Sequence, residues 1–389
     1  MEKTIFEKIF KSIDLKDFLE LFYDNEAYFF KRDNNSYFDC IEINIKDILL
    51  NHADSWGDIR LAKSEDPDKR LINTPPSMNI IEMAFQSGHT IVVNDLQNKD
   101  IDLYKLCRDF ENSFFCKSNC NMYITPPNTQ GLKAHYDTQD VIVLQIKGCK
   151  KWFFEKESTL YPMDNDYDDQ HVEDIIELHS EFLTPGSILY LPRGCVHKAL
   201  NEGDNTSIHL TISLTPYRKI HLLHAMLEQA VNNHSFLRKA VTLSDIKKTL
   251  SGKDTGSITR LVDSLNEFIC NSIEKTEERI LLDAALSLIK DIHDHQRTIS
   301  INSTFEFSDM NRVVDHNSIL TVCEDQNLFF SENENKIFYI GGEITIDQEH
   351  IFIKRLLLEK KVFKVSDIES DDALNIADSL IKSGIVYLK

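Results

Sequence analysis

Basic residues are scarce in this 389-residue chain: 43 Lys and Arg stand against 63 Asp and Glu, a formal charge of −20 at pH 7. An acidic surface repels phosphate backbones and anionic membranes, which sets nucleic acid aside as a partner and favours a basic protein or peptide. Long apolar runs are missing as well, since no stretch approaches the roughly 20 residues of a membrane-spanning helix. The opening MEKTIFEKIFKSID is charged and amphipathic and lacks the apolar region of a signal peptide. The eight cysteines are scattered, form no Cys-x-x-Cys pair, and leave Cys116 and Cys120 too isolated for a zinc site. Reduced thiols in a cytoplasmic protein are the expectation. Internal repeats and low-complexity segments are absent too.

What is present suffices for a sizeable core: 42% of residues are hydrophobic and 23 are Phe. The length suggests two or three domains at roughly 100–200 residues each. Residues 1–32 read as helical, with Ile5, Phe6, Ile9, Phe10 and later Phe18, Leu21 and Phe22 at helical spacing and a break with a new N-cap near Ser12 to Asp14. Residues 41–110 mix short helices with polar loops, the clearest loop being 63–70. From about residue 88 strands take over: HTIVVND, NMYIT closed by Pro126-Pro127, AHYDTQDVIVLQI, the turn Lys147-Gly148-Cys149, then KKWFFE. They resume with GSILYLP, the turn Arg193-Gly194, VHKAL and SIHLTIS. Short antiparallel strands with period-2 patterning in one region predict a barrel or sandwich.

Between the two strand groups, Met163 to Phe182 holds eight acids and no Lys or Arg. This run reads as a solvated loop followed by an acidic helix, or as a rim that draws a basic substrate to a nearby barrel mouth. Residues 218–297 carry the apolar stripes of several amphipathic helices, with part of that surface suited to a partner subunit. The last ninety residues give a hairpin around Gly341-Gly342, helices in IFIKRLLLEK and DDALNIADSLIKSG, and a closing strand, the outline of a winged helix. Residues 301–389 hold nine basic and sixteen acidic residues, net −7, which argues against DNA or RNA binding by that module.

The chemistry centres on His135-Tyr136-Asp137. On a strand, residues i and i+2 share a face, so His135 and Asp137 can converge on one ion. His197, following the Pro192-Arg193-Gly194 turn, supplies a second imidazole. Two His and one carboxylate form the facial triad that leaves positions open on iron(II); ordinary polar residues at strand ends are the alternative. A chelating 2-oxo acid would also need a cation at its far carboxylate, and Lys150 opens the strand after the hairpin turn, with Lys151 on the opposite face. Asn121 and Tyr123 share one face of NMYIT, as His209, Thr211 and Ser213 do in IHLTIS. In a barrel clad with helices these polar stripes would point into the lumen, where they are costly unless a ligand, metal or water satisfies them.

GHTIVVNDL (88–96), NMYITPPNTQGLKAHYDTQDVIVLQIKGCKKW (121–152), LTPGSILYLPRGCVHKA (183–199) and SIHLTIS (207–213) resemble, in order and spacing, the cupin-like JmjC ribosomal oxygenases, iron(II)- and 2-oxoglutarate-dependent protein hydroxylases. The N-terminal entry and WGDIRLAK (56–63) are similar to that family too. The resemblance implies an α+β fold: a JmjC/cupin double-stranded β-helix barrel with N-terminal helices (1–217), a helical dimerisation domain (218–300) and a C-terminal winged-helix domain (301–389). It implies iron(II) at His135, Asp137 and His197, 2-oxoglutarate at Lys150, Asn121, Tyr123 and Ser213, O₂ as second cosubstrate, and a homodimer. Some members have arginine at the place of Lys150, so the neighbouring Lys151 is the other candidate. The implied activity is hydroxylation of a side chain, His or Arg, on a ribosomal protein or peptide. Tailoring of a ribosomally made peptide natural product, or a non-catalytic cupin-like binding protein, are the alternatives. The other histidines that could be drawn as pairs, His221 with His224 and His293 with His295, lie in helical segments without carboxylate partners and read as surface or interface residues.

Overall fold

A computed structural model of the chain describes residues 5–10, 13–31, 44–53, 59–64, 78–158, 160–163, 178–233, 235–250, 263, 266, 277–296, 314–323, 328–331, 336–339, 342–345 and 351–389. It divides into two compact units, residues 1–216 and 217–389.

In the first unit the described helices are α1 (Ile5–Ile9), α2 (Leu15–Leu21), α3 (Ile45–Ala53), α4 (Met78–Gln86) and α5 (Ile101–Phe114). The strands are β1 (Tyr28–Phe30), β2 (Ile59–Ala62), β3 (Thr90–Val93), β4 (Cys116–Thr125), β5 (Thr129–Gln130), β6 (Asp140–Lys147), β7 (Lys150–Phe154), β8 (His179–Leu183), β9 (Ile188–Leu191), β10 (His197–Asn201) and β11 (Ser207–Pro216). They form a seven-stranded sheet in the order β1-β9-β6-β11-β4-β3-β2 and a four-stranded sheet in the order β5-β10-β7-β8, antiparallel throughout. Of the barrel or sandwich that the strand patterning predicts, this is a two-sheet barrel.

Alternation along the strands builds two cores. Met122 and Ile124 of β4, Ile142 and Leu144 of β6, and Ile208, Leu210, Ile212 and Leu214 of β11 join Phe6, Phe10, Phe18, Leu103, Leu106 and Phe110 in one buried cluster. The outer face of the large sheet is thus sealed by α1, α2 and α5, each fully buried aliphatic or aromatic side chain contributing roughly 1.5–3 kcal/mol. Asp14 and Asp100 cap α2 and α5 by accepting from the backbone N–H groups of Asp17, and of Asp102 and Leu103. Val141, Val143, Trp152, Phe154, Leu183, Leu189 and Leu191 cluster separately, on the inward faces of the two sheets. The opposite face of β4 and β11 is the polar stripe read from the sequence: His209, Thr211 and Ser213 are all buried.

Two turns next to the site depend on glycine. Gly148 (φ +68°), at the β6–β7 hairpin before Lys150, would place a Cβ 2.3 Å from the Thr206 carbonyl oxygen. Gly194 (φ +84°), before His197, would place one 2.4 Å from Ser158 Oγ. Both are left-handed positions with no room for a side chain.

The structure departs from the sequence reading in four places. Residues 28–30 are strand, not the end of a helical segment: Asp24 at φ 58° breaks the chain direction, and Tyr28 and Phe30 pair with Tyr190 and Ile188 across the sheet. Residues 59–62 are the edge strand β2, and 101–114 form one long helix burying Leu103, Leu106, Phe110 and Phe114. Residues 179–183 are strand β8, paired with β7, where an acidic helix was one expectation. Apart from Glu181 on β8, the acids of the 163–182 run lie outside the described residues, as does the loop 65–70.

In the second unit, helices span Lys219–Asn233, Leu243–Leu250 and Glu277–Gln296. The Tyr217 hydroxyl donates to Asp291 Oδ2 at 2.7 Å, tying the start of the first to the last. The stripe at Leu261, Leu265, Phe268 and Ile269 lies outside the described residues. Further on, the strands at 319–322, 362–364 and 386–388 form one three-stranded sheet, and those at 329–331, 336–339 and 342–345 another. Helices at 351–355 and 373–382 pack on them around Leu320, Ile337, Ile353, Phe363, Ala377 and Leu380.

Candidate functional site

His135 is not on a strand ladder. It lies between β5 and β6 and is fixed by a single antiparallel bridge to His197, the first residue of β10. Its N–H donates to the His197 carbonyl at 3.1 Å and its carbonyl accepts from the His197 N–H at 2.8 Å. The Gly194 N–H donates to the Asp137 carbonyl at 2.9 Å, so the turn before His197 also holds the segment carrying Asp137. The convergence therefore comes from cross-chain pairing as much as from i, i+2 spacing.

One ligand atom from each of His135, Asp137 and His197 lies within 4.8 Å of the other two. His135 Nε2 is 3.9 Å from Asp137 Oδ1, and His197 Nε2 is 3.6 Å from Asp137 Oδ2. His135 Nδ1–H donates to the Lys133 carbonyl at 2.8 Å and His197 Nδ1–H to the Cys195 carbonyl at 3.0 Å. Carbonyl oxygens only accept, so both rings carry their proton on Nδ1 and turn an Nε2 lone pair toward the carboxylate. That backbone locking of tautomer and ring angle is characteristic of metal-binding imidazoles. Burial, aided by His135 and opposed by Asp137, brings the His197 imidazole down to about 4, which keeps it in the neutral, ligating form.

Lys150 starts β7 and is 4% exposed. Its Nζ donates to Thr125 Oγ1 at 2.9 Å, and burial lowers its ammonium to about 7. Lys151 points the other way, over the rings of Phe153 and Phe182 and 3.8 Å from Glu202. Strand alternation thus resolves which lysine faces inward. Tyr123 stacks on His209 with centroids 4.8 Å apart, and burial pushes its phenol up to about 12, with Arg60 opposing the shift and Asp137 adding to it. Asn121 Oδ1 accepts from the Asp95 N–H at 3.0 Å.

The register orders these groups along the lumen. Tyr123 faces His209 across β4 and β11, Asn121 faces Thr211, and Asn119 faces Ser213. Each step of two residues advances about 7 Å. Tyr123 and His209 therefore lie toward Lys150 and Thr125, while Asn121 and Ser213 stand progressively farther along the same face. Two lumen residues had no place in the sequence reading, Thr125 and Trp152, while His209 was placed there only as part of the polar stripe. Both were legible by alternation, since Thr125 follows Asn121 and Tyr123 on one face and Trp152 follows Lys150. Trp152 stacks on His197 at 5.9 Å and meets His209 edge-on at 5.4 Å.

A buried ammonium held by a hydroxyl, two tautomer-locked imidazoles and a carboxylate are a donor set that fits a divalent metal and an anionic chelator. The imidazole and carboxylate ligands suit iron(II) among the metals such sites take.

The JmjC domain family model matches residues 94–222, the stretch containing every one of these lumen residues. In sequence, the chain is 26% identical over 300 residues to the bifunctional lysine-specific demethylase and histidyl-hydroxylase NO66 of Drosophila melanogaster, covering 72% of this chain and 45% of that protein. The NO66 of Aedes aegypti is 24% identical over 428 residues, covering 96% of this chain and 66% of the relative. The chain spans less than half the length of the NO66 relatives of Drosophila melanogaster, Drosophila simulans and Drosophila sechellia. In structure, it superposes on Escherichia coli ycfD with a TM-score of 0.61 at 15% identity, covering 97% of this chain and 99% of the other. The same protein, described as a ribosomal oxygenase and solved with cobalt and 2-oxoglutarate, gives 0.56 at 14% identity, again covering 97% and 99%. Residues 94–222 thus match the JmjC domain model and lie in a two-sheet barrel, and the chain is similar in sequence to NO66 and in fold to Escherichia coli ycfD.

Proposed function

We propose that this chain is an iron(II)- and 2-oxoglutarate-dependent oxygenase that hydroxylates a side chain, histidine or arginine, of a ribosomal protein or peptide. The observation that carries the reading is the pairing, in one barrel lumen, of the His135, Asp137 and His197 cluster with the buried Lys150. His135, Asp137 and His197 would hold the metal, and Lys150 the far carboxylate of 2-oxoglutarate, with Tyr123, Asn121 and Ser213 lining the same chamber. Lys150 and Trp152 alternate inward on β7 toward Phe154, which faces His197 in the register. Four residues of strand, about 13 Å of backbone, then separate the lysine from the level of that histidine, a span for the lysine stem and a short dicarboxylate to share. When bound, the metal and 2-oxo acid supply the oxidising chemistry: with O₂ the cosubstrate leaves as succinate and CO₂, and one oxygen atom enters a substrate C–H bond. The protein's part is to fix the ligands, neutralise the distal carboxylate and keep the chamber dry with Val141, Val143, Leu189 and Leu191.

The relatives support the substrate class. NO66 is a histidyl-hydroxylase by name, and the Escherichia coli neighbour is a ribosomal oxygenase, solved also with cobalt and succinic acid. A charge of −20 suits basic partners such as these and disfavours nucleic acid. The helices from 218 to 300 would serve dimerisation and residues 301–389 a protein-facing winged-helix module. The described cysteines are all free, in keeping with a cytoplasmic site of action; separately, no described helix is long and apolar enough to cross a membrane.

The test is aerobic conversion of 2-oxoglutarate to succinate by the purified chain with iron(II), joined to intact-mass comparison of ribosomal proteins from strains with and without the gene. A ribosomal protein lighter by one oxygen atom in the deletion strain supports the reading. No iron-dependent succinate, with or without ribosomal protein, sinks it.

A further inference from the structure

Among the described residues, two polar atoms in the lumen have no hydrogen-bond partner: His209 Nδ1 and the Trp152 indole Nε1. Both side chains are buried, at 2% and 5% exposure. They touch each other edge-on at 5.4 Å, with Trp152 stacked on His197 at 5.9 Å and His209 stacked on Tyr123 at 4.8 Å. Alternation on β7 puts Lys150 and Trp152 on the same face one step apart. The pair therefore stands between the buried ammonium and the metal-side histidine. A buried unpaired donor is costly, and packing alone does not call for one here, since an apolar aromatic ring packs without any N–H. An indole N–H only donates, so the missing partner of Trp152 is an acceptor. The Lys150 ammonium on one side and the ligand cluster on the other say that this acceptor belongs to an anion.

We propose that Trp152 Nε1–H and His209 Nδ1–H are contacts to the 2-oxo acid itself, donating to its oxygens between the end held by Lys150 and the end at His135, Asp137 and His197. The inference rests on the cosubstrate reading above and goes beyond it, adding two neutral donors to the lysine. They hold the chelator in one orientation without adding charge to the lumen. Trp152 then has two functions in one ring, packing the His197 imidazole with its face and the cosubstrate with its edge.

The chain contains two tryptophans, Trp56 and Trp152, so the indole N–H signals of the zinc-loaded, redox-inert full chain can be followed by NMR with ¹⁵N-tryptophan labelling, and Trp152→Phe assigns them. Adding 2-oxoglutarate should move the Trp152 signal downfield. By calorimetry, Trp152→Phe and His209→Phe should each weaken 2-oxoglutarate binding about tenfold or more, the loss of one hydrogen bond to a charged group, while zinc affinity measured against a chromophoric chelator stays within a factor of about two. A wild-type chain that binds 2-oxoglutarate while its Trp152 signal stays put, or variants that bind it as tightly as wild type, overturns this inference alone. A wild-type chain that binds none overturns the cosubstrate reading and this inference with it.

Discussion

Replacing Lys150 with methionine should make the protein more stable and its cosubstrate site useless. The side chain is 4% exposed, its Nζ donates to a neutral hydroxyl on Thr125, and burial lowers its ammonium from 10.5 to about 7. That depression corresponds to a cost of up to roughly 5 kcal/mol for carrying the charge in the unliganded fold. Below pH 7 the folded chain bears the full cost. Between pH 7 and 10.5 the unfolded chain keeps a proton that the folded chain has released, so wild-type stability rises with pH across that window. Lys150→Met removes both the cost and the slope. Urea melts of the two proteins at pH 6 and pH 9 should therefore show the variant ahead at pH 6 and the gap narrowed by about half at pH 9, since it closes only near the unfolded value of 10.5. For 2-oxoglutarate the sign reverses: a buried carboxylate that loses its cation costs about 2–5 kcal/mol, or about thirtyfold to a few thousandfold in Kd. Binding by wild type above pH 7 should take up a proton, visible as a dependence of the calorimetric heat on buffer ionisation. A variant less stable than wild type at pH 6, or one with unchanged 2-oxoglutarate affinity, would refute the reasoning.

Asp137→Ala should strip the metal site, with iron content after dialysis falling by more than the tenfold to hundredfold that outer-shell partners are worth; iron retained at wild-type stoichiometry by elemental analysis rules the assignment out. Gly194→Ala forces a side chain into a φ +84° position against Ser158 and should cost at least about 1–3 kcal/mol, read as a lowered melting temperature together with weakened metal binding, since His197 follows three residues later. The Arg193 guanidinium pairs with Asp24 and lies 3.5 Å from Asp140 Oδ1, and the Arg193 backbone N–H donates to the same oxygen at 2.8 Å. Arg193→Met leaves the fully buried Asp140 without its cation and should cost about 3–5 kcal/mol by urea unfolding; a loss below about 1 kcal/mol would show the ion pair to be dispensable. Burial raises the Asp140 carboxyl from 3.8 to about 6, so its contribution favours the fold below pH 4 and declines as pH rises to 6, a slope that Asp140→Asn should erase in the same melts.

Much of this architecture was legible because strand alternation has a period of two and each face of β4, β7 and β11 has one fate. Met122 and Ile124 had to face helices while Asn121 and Tyr123 faced inward, and the same rule separates Lys150 from Lys151. Thr125 and Trp152 were available to that rule too, lying two residues beyond residues already marked. The short edge strands were not legible. Tyr28 to Phe30 carries three aromatic residues that suit a helix face or a strand equally, and only pairing with β9 chooses between them. The strand at 179–183 was hidden by acids that read as solvated, because an edge strand with one wet face has no strong apolar signature.

The sequence by itself determined the candidate residues, their order and the inward face of the lysine: two histidines and a carboxylate in or beside the barrel strands, with Lys150 on a strand that must be buried on one side. Those follow from local rules of pleat and polarity. Tertiary structure alone decided that His135 meets His197 through one backbone bridge, that carbonyls of Lys133 and Cys195 lock both imidazole tautomers, and that Lys150 is buried beside Thr125 rather than a carboxylate. These are contacts between residues far apart in the chain or set by loop geometry, and no periodicity encodes the distance between them. The same holds for the unpaired edges of Trp152 and His209. A residue's face can be read from its neighbours in sequence, whereas its lack of a partner depends on every group that packs around it.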